Sequence, residues 1–167
     1  IEVDRKTIIF SDEAIHLSYV PKSIAIMGSG AVGVEFASIF KSYGSEVTII
    51  ELMPKLVPAE DEAVSNELER TFKKRGIKAY TGTKVTSAKA TASCVDITMA
   101  RAEQSESLNV EMLIVATGRG PVTDGLGVET IGLKMDRGYI VVDSLFHTNV
   151  PGVSAIGDVI TVGGPHY

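Results

Sequence analysis

Residues 24–35 read Ile-Ala-Ile-Met-Gly-Ser-Gly-Ala-Val-Gly-Val-Glu, and this stretch decides the fold. A short apolar run ends in Gly-x-Gly-x-x-Gly and leads directly into a predicted amphipathic helix, which is the order that a dinucleotide pyrophosphate requires. Gly28 permits the tight turn from strand to helix, Gly30 lets the bare backbone approach the phosphates, and Gly33 lets helix and strand pack closely. The free N–H groups of the helix start then face an anion.

A carboxylate follows at the distance that such a site needs. Residues 47–51 form a second β-branched, apolar stretch, and Glu51 follows Gly28 by 51 − 28 = 23 residues, close to the roughly 20 expected for a ribose-binding acid. This carboxylate can accept hydrogen bonds from both adenosine ribose hydroxyls but would repel a 2′-phosphate, and residues 52–55 contain no arginine pair. The pattern therefore favours NAD over NADP. The alternative is a surface glutamate that caps a strand of some other α/β unit.

The composition indicates a globular chain of the size of one ordinary domain. Its 167 residues are 44% hydrophobic and 22% charged, with a net charge of −5. Because the net charge is negative and Lys and Arg form no run longer than three residues, nucleic acid and anionic membranes are not expected as partners. The single cysteine, Cys94, excludes an internal disulfide. The histidines suggest no triad or metal site, so we predict no catalytic residue and no metal ligand in this chain.

The periodicity along the chain predicts a βαβαβ unit followed by a β-meander and a last buried strand. Helices are predicted at 11–14, 31–43 and 60–76, and strands at 7–10, 23–27, 47–51, 77–80, 84–88, 95–99 and 112–116. Val64, Leu68 and Phe72 are predicted as the buried stripe of the third helix, and 100–108 as a hairpin loop. The predicted fold class is α/β. This order of elements resembles the Rossmann-like FAD/NAD(P)-binding domain, which implies a central parallel sheet with helices on one face and a three-stranded meander on the other.

Motifs in a fixed order resemble the flavoprotein disulfide reductases, and the resemblance covers essentially the whole chain. They are Gly-Ser-Gly-Ala-Val-Gly-Val-Glu at 28–35, Thr-Ile-Ile-Glu at 48–51 with the residues up to 61, Ala-Thr-Gly-Arg-Gly-Pro at 116–121, and Thr-Asn-Val-Pro-Gly-Val-Ser-Ala-Ile-Gly-Asp at 148–158. The run as a whole is most similar to the branch whose substrate is dihydrolipoamide, a group carried by 2-oxo acid dehydrogenase complexes. Mercuric reductase or a related branch of the family, and a non-catalytic NAD-binding module, are the alternatives.

The resemblance implies a cofactor-binding role for each residue that the motifs single out. The implied roles are the pyrophosphate turn for Gly28, Gly30 and Gly33, the adenosine ribose for Glu51, the nicotinamide ribose for Glu35, the adenine side for Val85, the nicotinamide half for Gly118, and the flavin-facing side for Arg119 and Asp158, with Asp158 on the ribityl chain.

Structural roles stay open for several of these residues. Glu35 stabilises a helix start without any ligand, and Val85 is also suited to a core. Gly118 can simply shape a turn, and Arg119 can pair with a local acid. Asp158 can cap a helix.

The resemblance also implies a domain organisation and a set of partners. Residues 1–20 would be a connector from a flavin domain, 21–138 the NAD-binding domain, and 139–167 the start of a returning flavin-domain segment. We expect the chain to be a piece of a longer polypeptide, because it lacks the Cys-x4-Cys and His-Glu pairs of the family. NAD or NADH would be its ligand; FAD, a 2-oxo acid dehydrogenase complex and a second subunit would join the parent. The bacterial cytoplasm is favoured over the mitochondrial matrix, and the chain alone is expected to be inactive.

Overall fold

The computed structural model describes residues 1–102, 104–118 and 120–161. The chain divides into two compact units, Ile1–Gly118 and Arg119–Tyr167. The domain boundaries that the sequence suggests, after residues 20 and 138, stay predictions. Within the described ranges, no helix has the length and apolar character needed to cross a membrane.

The first unit is built on a parallel sheet. Its elements are β1 (Ile8–Ile9), α1 (Ser11–Ala14), β2 (Ser23–Met27), α2 (Ala31–Ser42), β3 (Glu46–Ile50), α3 (Glu62–Lys74), β4 (Lys78–Tyr80), β5 (Lys84–Ala90), β6 (Val95–Arg101), β7 (Gln104–Val110) and β8 (Met112–Val115). The five strands lie in the order β1-β8-β2-β3-β4, with every neighbouring pair parallel. The chain runs outward from β2 to β4 and then returns to place β8 on the other side of β2. The strand order therefore reverses between β2 and β8, which is where open α/β sheets bind ligands.

Both faces of this sheet are buried. Alternate side chains of each strand point to opposite sides, and each side packs in its own cluster. One cluster joins the sheet to the helices: Ile24, Ile26, Val47, Ile49, Met112 and Ile114 with Phe36, Ala37, Phe40 and Phe72. A second cluster joins it to the antiparallel sheet β5-β6-β7: Ile8, Ala25, Ile50 and Leu113 with Val95, Ile97, Met99 and Val110. The predicted fold class, with helices on one face and the meander on the other, is confirmed.

The helices begin and end within two residues of the predicted positions, but the buried face of α3 differs from the predicted one. Helix α2 ends at Ser42, and its C-cap Tyr43 is followed by the left-handed residue Gly44, with φ +98°. Helix α3 begins after Asp61, whose carboxylate accepts the Ala63 N–H at 2.8 Å. The prediction that Val64 belongs to the buried stripe of α3 is wrong, since this side chain is 54% exposed. Ser65 is buried instead, because its hydroxyl donates to the Leu56 carbonyl of the preceding loop.

The segment predicted as a hairpin loop, residues 100–108, is mostly strand. β6 extends to Arg101, and β7 begins at Gln104 and pairs antiparallel with it. The polar composition of β7 suggests a loop, but β7 is an outer strand of the meander and is exposed at most positions. Its backbone hydrogen bonds to β6, rather than burial of its side chains, hold it in the sheet. The meander keeps its three strands.

The loop before β1 is organised by Asp4. Its Oδ1 accepts the N–H groups of Lys6, Thr7 and Ile8 at 2.8–2.9 Å, and its Oδ2 accepts the Thr7 hydroxyl at 2.8 Å. Burial raises the pKa of Asp4, but these hydrogen bonds together outweigh it and lower the pKa to about 2. Asp4 is therefore ionised over the whole ordinary pH range.

The second unit has a small core of its own. It contains the hairpin β9 (Met135–Asp136) and β10 (Tyr139–Ile140), and an isolated parallel bridge joins Ile140 to Ile160. The buried side chains of this core are Val128, Ile140, Val142 and Ile160.

Candidate functional site

The glycine turn after β2 lies directly against the end of β8. Gly28 has φ +101°, and its N–H donates to the Ile50 carbonyl at 2.9 Å. A Cβ built on Gly28 would lie 2.4 Å from the Ala116 carbonyl oxygen and 3.0 Å from the Thr117 Cα. Any side chain here would therefore push the ends of the two strands apart, in addition to the strain of a left-handed backbone.

Helix α2 is equally close to the same turn. A Cβ on Gly33 would lie 2.2 Å from the Gly28 carbonyl oxygen, so only glycine lets the first turn of the helix pack there. Gly30 is the N-cap residue, half-buried, and its carbonyl accepts the Val34 N–H at 3.1 Å. Because Gly30 has no side chain to accept from the first N–H groups of α2, those donors are left for another acceptor.

Glu51 lies beside this turn, immediately after β3. The parallel register pairs Met27 with Ile50, so the residues that follow, Gly28 and Glu51, come side by side. Oε2 of the carboxylate accepts the Ser29 N–H and the Ser29 hydroxyl, both at 2.7 Å. Oε1 accepts the Met53 N–H at 2.7 Å. Glu51 is buried, 7% exposed, and both oxygens of its carboxylate accept hydrogen bonds.

A loop from β3 to α3 closes over the turn. The Val57 N–H donates to the Ser29 carbonyl at 3.1 Å. Val57 is buried with φ +42°, a conformation that β-branched residues rarely adopt. Helix α3 anchors this loop, because Glu69 Oε1 accepts the Leu56 N–H at 2.9 Å and the Ser65 hydroxyl donates to the Leu56 carbonyl.

The remaining residues singled out by the sequence either take no part in the described hydrogen bonds of the glycine turn and Glu51 or lie outside the described residues. Glu35 is exposed on α2, and Val85 is half-buried on β5, packed against the meander cluster. Gly118 is exposed after β8 with φ +138°. Arg119 lies outside the described residues. Asp158 is exposed in a turn of the second unit. Their cofactor roles stay predictions.

Sequence reasoning missed two members of the cluster, Ser29 and Val57. Ser29 stands at a position that the Gly-x-Gly-x-x-Gly pattern leaves unspecified, and its contact with Glu51 depends on the pairing of β2 with β3. Val57 stands in a Leu-Val-Pro stretch that gives no sign of a left-handed backbone. Each residue is recognisable only once the turn and the following loop are seen together.

The geometry suits one kind of ligand. The turn offers unsatisfied backbone donors at a helix start to an anion, and the oriented carboxylate nearby offers acceptors to hydroxyl donors. Both lie at the carboxyl ends of parallel strands, and the glycine turn follows β2, beside which the strand order reverses. A molecule that carries a pyrophosphate next to a ribose has both chemistries at the required spacing, so the residues present fit a dinucleotide.

Comparison with curated proteins identifies close relatives. The dihydrolipoyl dehydrogenase of Chlorobaculum tepidum is 42% identical over 160 residues, which are 95% of this chain and 34% of that protein. The dihydrolipoamide dehydrogenase of Chaetomium thermophilum is 38% identical over 162 residues, which are 95% of this chain and 32% of that protein. This chain thus spans about a third of the length of these relatives.

Solved structures and a family match agree with these relatives. LpdA of Mycobacterium tuberculosis has a TM-score of 0.88 at 26% identity, covering 99% of this chain and 36% of that chain. The HOCl-induced flavoprotein disulfide reductase RclA of Escherichia coli has a TM-score of 0.84 at 29% identity, covering 97% of this chain and 37% of that one. Residues 2–166 match the family described as pyridine nucleotide-disulphide oxidoreductase. The resemblance drawn from the motifs is confirmed, and the chain belongs to the pyridine nucleotide-disulphide oxidoreductase family.

Proposed function

We propose that this chain is the NAD-binding part of a dihydrolipoyl dehydrogenase. The observation that carries the proposal is that the glycine turn of residues 28–33 and the carboxylate of Glu51 lie side by side. A dinucleotide needs these two features next to each other, because its pyrophosphate is followed by the hydroxyl groups of the adenosine ribose. The names of the curated relatives support the choice of enzyme.

In this proposal the turn holds the pyrophosphate. The first N–H groups of α2 donate to the phosphate oxygens, and the positive end of the helix dipole stabilises the negative charge. Gly30 leaves the backbone open at the point of approach. Gly28 and Gly33 act indirectly, by letting β8 and α2 pack so closely that the turn is rigid before the ligand arrives.

Glu51 selects the nucleotide. Its carboxylate accepts a hydrogen bond from a ribose hydroxyl of NAD through the acceptor position that remains free on Oε1, whereas a 2′-phosphate would bring a second negative charge beside it. Three donors already orient the carboxylate, so little conformational entropy is lost on binding. We therefore propose NAD rather than NADP as the nucleotide.

The other predicted residues take the roles that the family resemblance implies. Glu35 and Gly118 serve the nicotinamide half and Val85 the adenine side, while Arg119 and Asp158 serve the flavin of the longer parent protein. When bound, NAD⁺ supplies the hydride acceptor for electrons that dihydrolipoamide delivers through a redox disulfide and FAD. We further propose that the parent is a homodimer and works in a 2-oxo acid dehydrogenase complex.

The chain alone is expected to bind the nucleotide without turning over dihydrolipoamide. A redox disulfide requires two thiols, and Cys94 is the single cysteine of this sequence. Adding dihydrolipoamide, FAD and NAD⁺ to the purified chain should therefore yield no NADH above the rate without protein. NADH formation that depends on the chain would contradict this division of labour.

Calorimetric titration with NADH and with NADPH tests the proposed function. We expect NADH to bind more tightly, since the 2′-phosphate of NADPH meets the Glu51 carboxylate. Tighter binding of NADPH, or no binding of either nucleotide at millimolar concentration, would contradict the proposal. The choice of enzyme is tested by sequencing the reading frame that encodes the chain. A Cys-x4-Cys pair upstream and a His-Glu pair downstream are expected, and unrelated neighbouring sequence would overturn it.

A further inference from the structure

We propose that Ser29 is a positioning residue of the nucleotide site: its hydroxyl holds the Glu51 carboxylate in place and thereby sets the preference for a ribose with a free 2′-hydroxyl. The inference rests on the proposed function, because it concerns the same carboxylate. It goes beyond that function by assigning specificity to a residue that need not touch the ligand.

The first argument is the convergence of two donors on one oxygen. The Ser29 N–H and hydroxyl both donate to Oε2 of Glu51 at 2.7 Å. Short hydrogen bonds to an ionised acceptor are the strong ones. They occupy both lone pairs of Oε2, while the Met53 N–H occupies one of the two on Oε1. An acceptor position on Oε1 is therefore left for a ribose hydroxyl.

The second argument is that Ser29 is itself held from the opposite side. Its carbonyl accepts the Val57 N–H at 3.1 Å, and the neighbouring Leu56 is bound through both its N–H and its carbonyl to helix α3. The Ser29 peptide thus cannot rotate without breaking the contacts of the loop. A donor on a rigid support orients its acceptor better than a donor on a mobile loop.

The third argument is burial. Ser29 is 0% exposed, so its hydroxyl cannot reach a phosphate or ribose unless the turn rearranges. The hydroxyl therefore acts through Glu51. This distinguishes a positioning role from direct binding.

Removal of the hydroxyl should free the carboxylate. In Ser29→Ala, the Glu51 carboxylate keeps the N–H donors of residue 29 and Met53 but loses the serine hydroxyl. A buried charge with fewer hydrogen bonds is less stable than one that water solvates, so we expect the carboxylate to turn outward into solvent. A carboxylate that has swung outward must return before NADH binds, and the apparent Kd rises as the competent fraction falls. The Kd for NADPH should not rise in this way, because a Glu51 carboxylate that points outward lies farther from the 2′-phosphate of NADPH.

The test is calorimetric titration of wild type and Ser29→Ala with NADH and with NADPH. We expect the Kd for NADH to rise roughly 3- to 10-fold and the Kd for NADPH to stay the same or fall, if about 10–30% of the molecules remain competent. The matched control is Ser45→Ala. Ser45 is also buried, and its hydroxyl donates to the Pro21 carbonyl at 2.6 Å at the other end of the sheet. This variant should keep the wild-type ratio of the two Kd values.

A double-mutant cycle with Glu51→Gln distinguishes a positioning role from a merely structural one, because it tests whether the effect of Ser29→Ala on the ratio of the two Kd values depends on Glu51. If Ser29 acts through Glu51, then Ser29→Ala changes the Kd ratio in the wild-type background and leaves it unchanged in the Glu51→Gln background. Ser29→Cys, which keeps a buried side chain but has a weaker donor, should lie between serine and alanine, and it replaces Ser29→Ala in the cycle if circular dichroism shows that the alanine variant is unfolded.

The outcomes separate the two proposals. An equal loss of NADH and NADPH affinity in Ser29→Ala, or an unchanged ratio, overturns the positioning role while leaving the NAD site intact. An effect of equal size in both backgrounds of the cycle overturns it as well. If the wild type itself shows no preference for NADH, the proposed role of Glu51 fails first.

Discussion

Two buried serines lie at opposite ends of the same sheet, and each donates its hydroxyl in a hydrogen bond, but the acceptors differ. Ser45, before β3, donates its hydroxyl to the neutral Pro21 carbonyl at 2.6 Å, which ties one connecting segment to another. Ser29, after β2, donates its hydroxyl at 2.7 Å to the Glu51 carboxylate. The first bond therefore links the segments that precede β2 and β3. In the proposed function, the second bond orients the Glu51 carboxylate beside the glycine turn, so we expect the acceptor rather than the donor to distinguish the positioning serine from the structural one.

The largest expected effect comes from breaking the turn that carries Ser29. Gly28→Ala should lower the free energy of unfolding by roughly 2–5 kcal/mol, since a strained left-handed residue and a clash with the Ala116 carbonyl add together. Urea unfolding followed by circular dichroism measures this. Gly44→Ala is the control, because φ is similar, +98° against +101°, but a Cβ at Gly44 would meet no described atom within 4 Å. Equal losses in the two variants would show that contact with β8 is unimportant.

The next largest effect is expected from Glu51, whose carboxylate accepts hydrogen bonds from Ser29. Glu51→Gln should weaken NADH binding about 10- to 100-fold, the cost of replacing hydrogen bonds to a charged group by weaker ones. NADPH should be affected much less, because the repulsion of its 2′-phosphate is removed at the same time. Titration calorimetry at one fixed salt concentration measures both Kd values. If the Kd of NADH stays within twofold of the wild-type value, Glu51 is not the ribose acid.

A smaller effect should separate the two serines by stability alone. We expect Ser45→Ala to cost about 1 kcal/mol of unfolding free energy and Ser29→Ala about 2, since hydrogen bonds to charged groups contribute more than neutral ones. Urea unfolding at pH 7 provides both values. A larger loss for Ser45 than for Ser29 would contradict the view that the charge of the acceptor makes the difference.

The smallest effect is expected at an exposed carboxylate of similar design. Asp4 also accepts backbone N–H groups and a hydroxyl, but it lies at the surface, and its pKa is lowered from 3.8 to about 2. Since the folded pKa lies below the unfolded value, Asp4 stabilises the fold above about pH 4 and loses this contribution as the pH falls toward 2. Solvent screening limits the contribution to roughly 0.5 kcal/mol or less.

Asp4→Asn measures this contribution. The variant should be slightly less stable than wild type in urea at pH 6, and the difference should disappear near pH 2, where wild-type Asp4 becomes protonated. A difference that stays constant between these pH values would mean that the ionisation of Asp4 does not matter.

Much of the architecture was predictable because it depends on local patterns. The β-branched run of β2, the glycines at 28, 30 and 33, and the change from helical to alternating periodicity after β4 each report on neighbouring residues. Predictions failed where the environment overrode composition. Val64 has the spacing of a core residue, but α3 turns Ser65 inward instead, and the polar residues of β7 form a strand because β6 offers backbone partners.

The sequence by itself determined the chemical groups of the site, namely a glycine turn that opens a helix and an acid after the next strand. Tertiary structure alone decided how these groups meet. Ser29 and Glu51 are 22 residues apart, and the parallel register that pairs Met27 with Ile50 brings them within hydrogen-bond distance. The contact with Val57 depends on the same packing. Local sequence encodes which donors and acceptors exist, but their distances follow from how strands pair and helices pack, which are long-range properties of the folded chain.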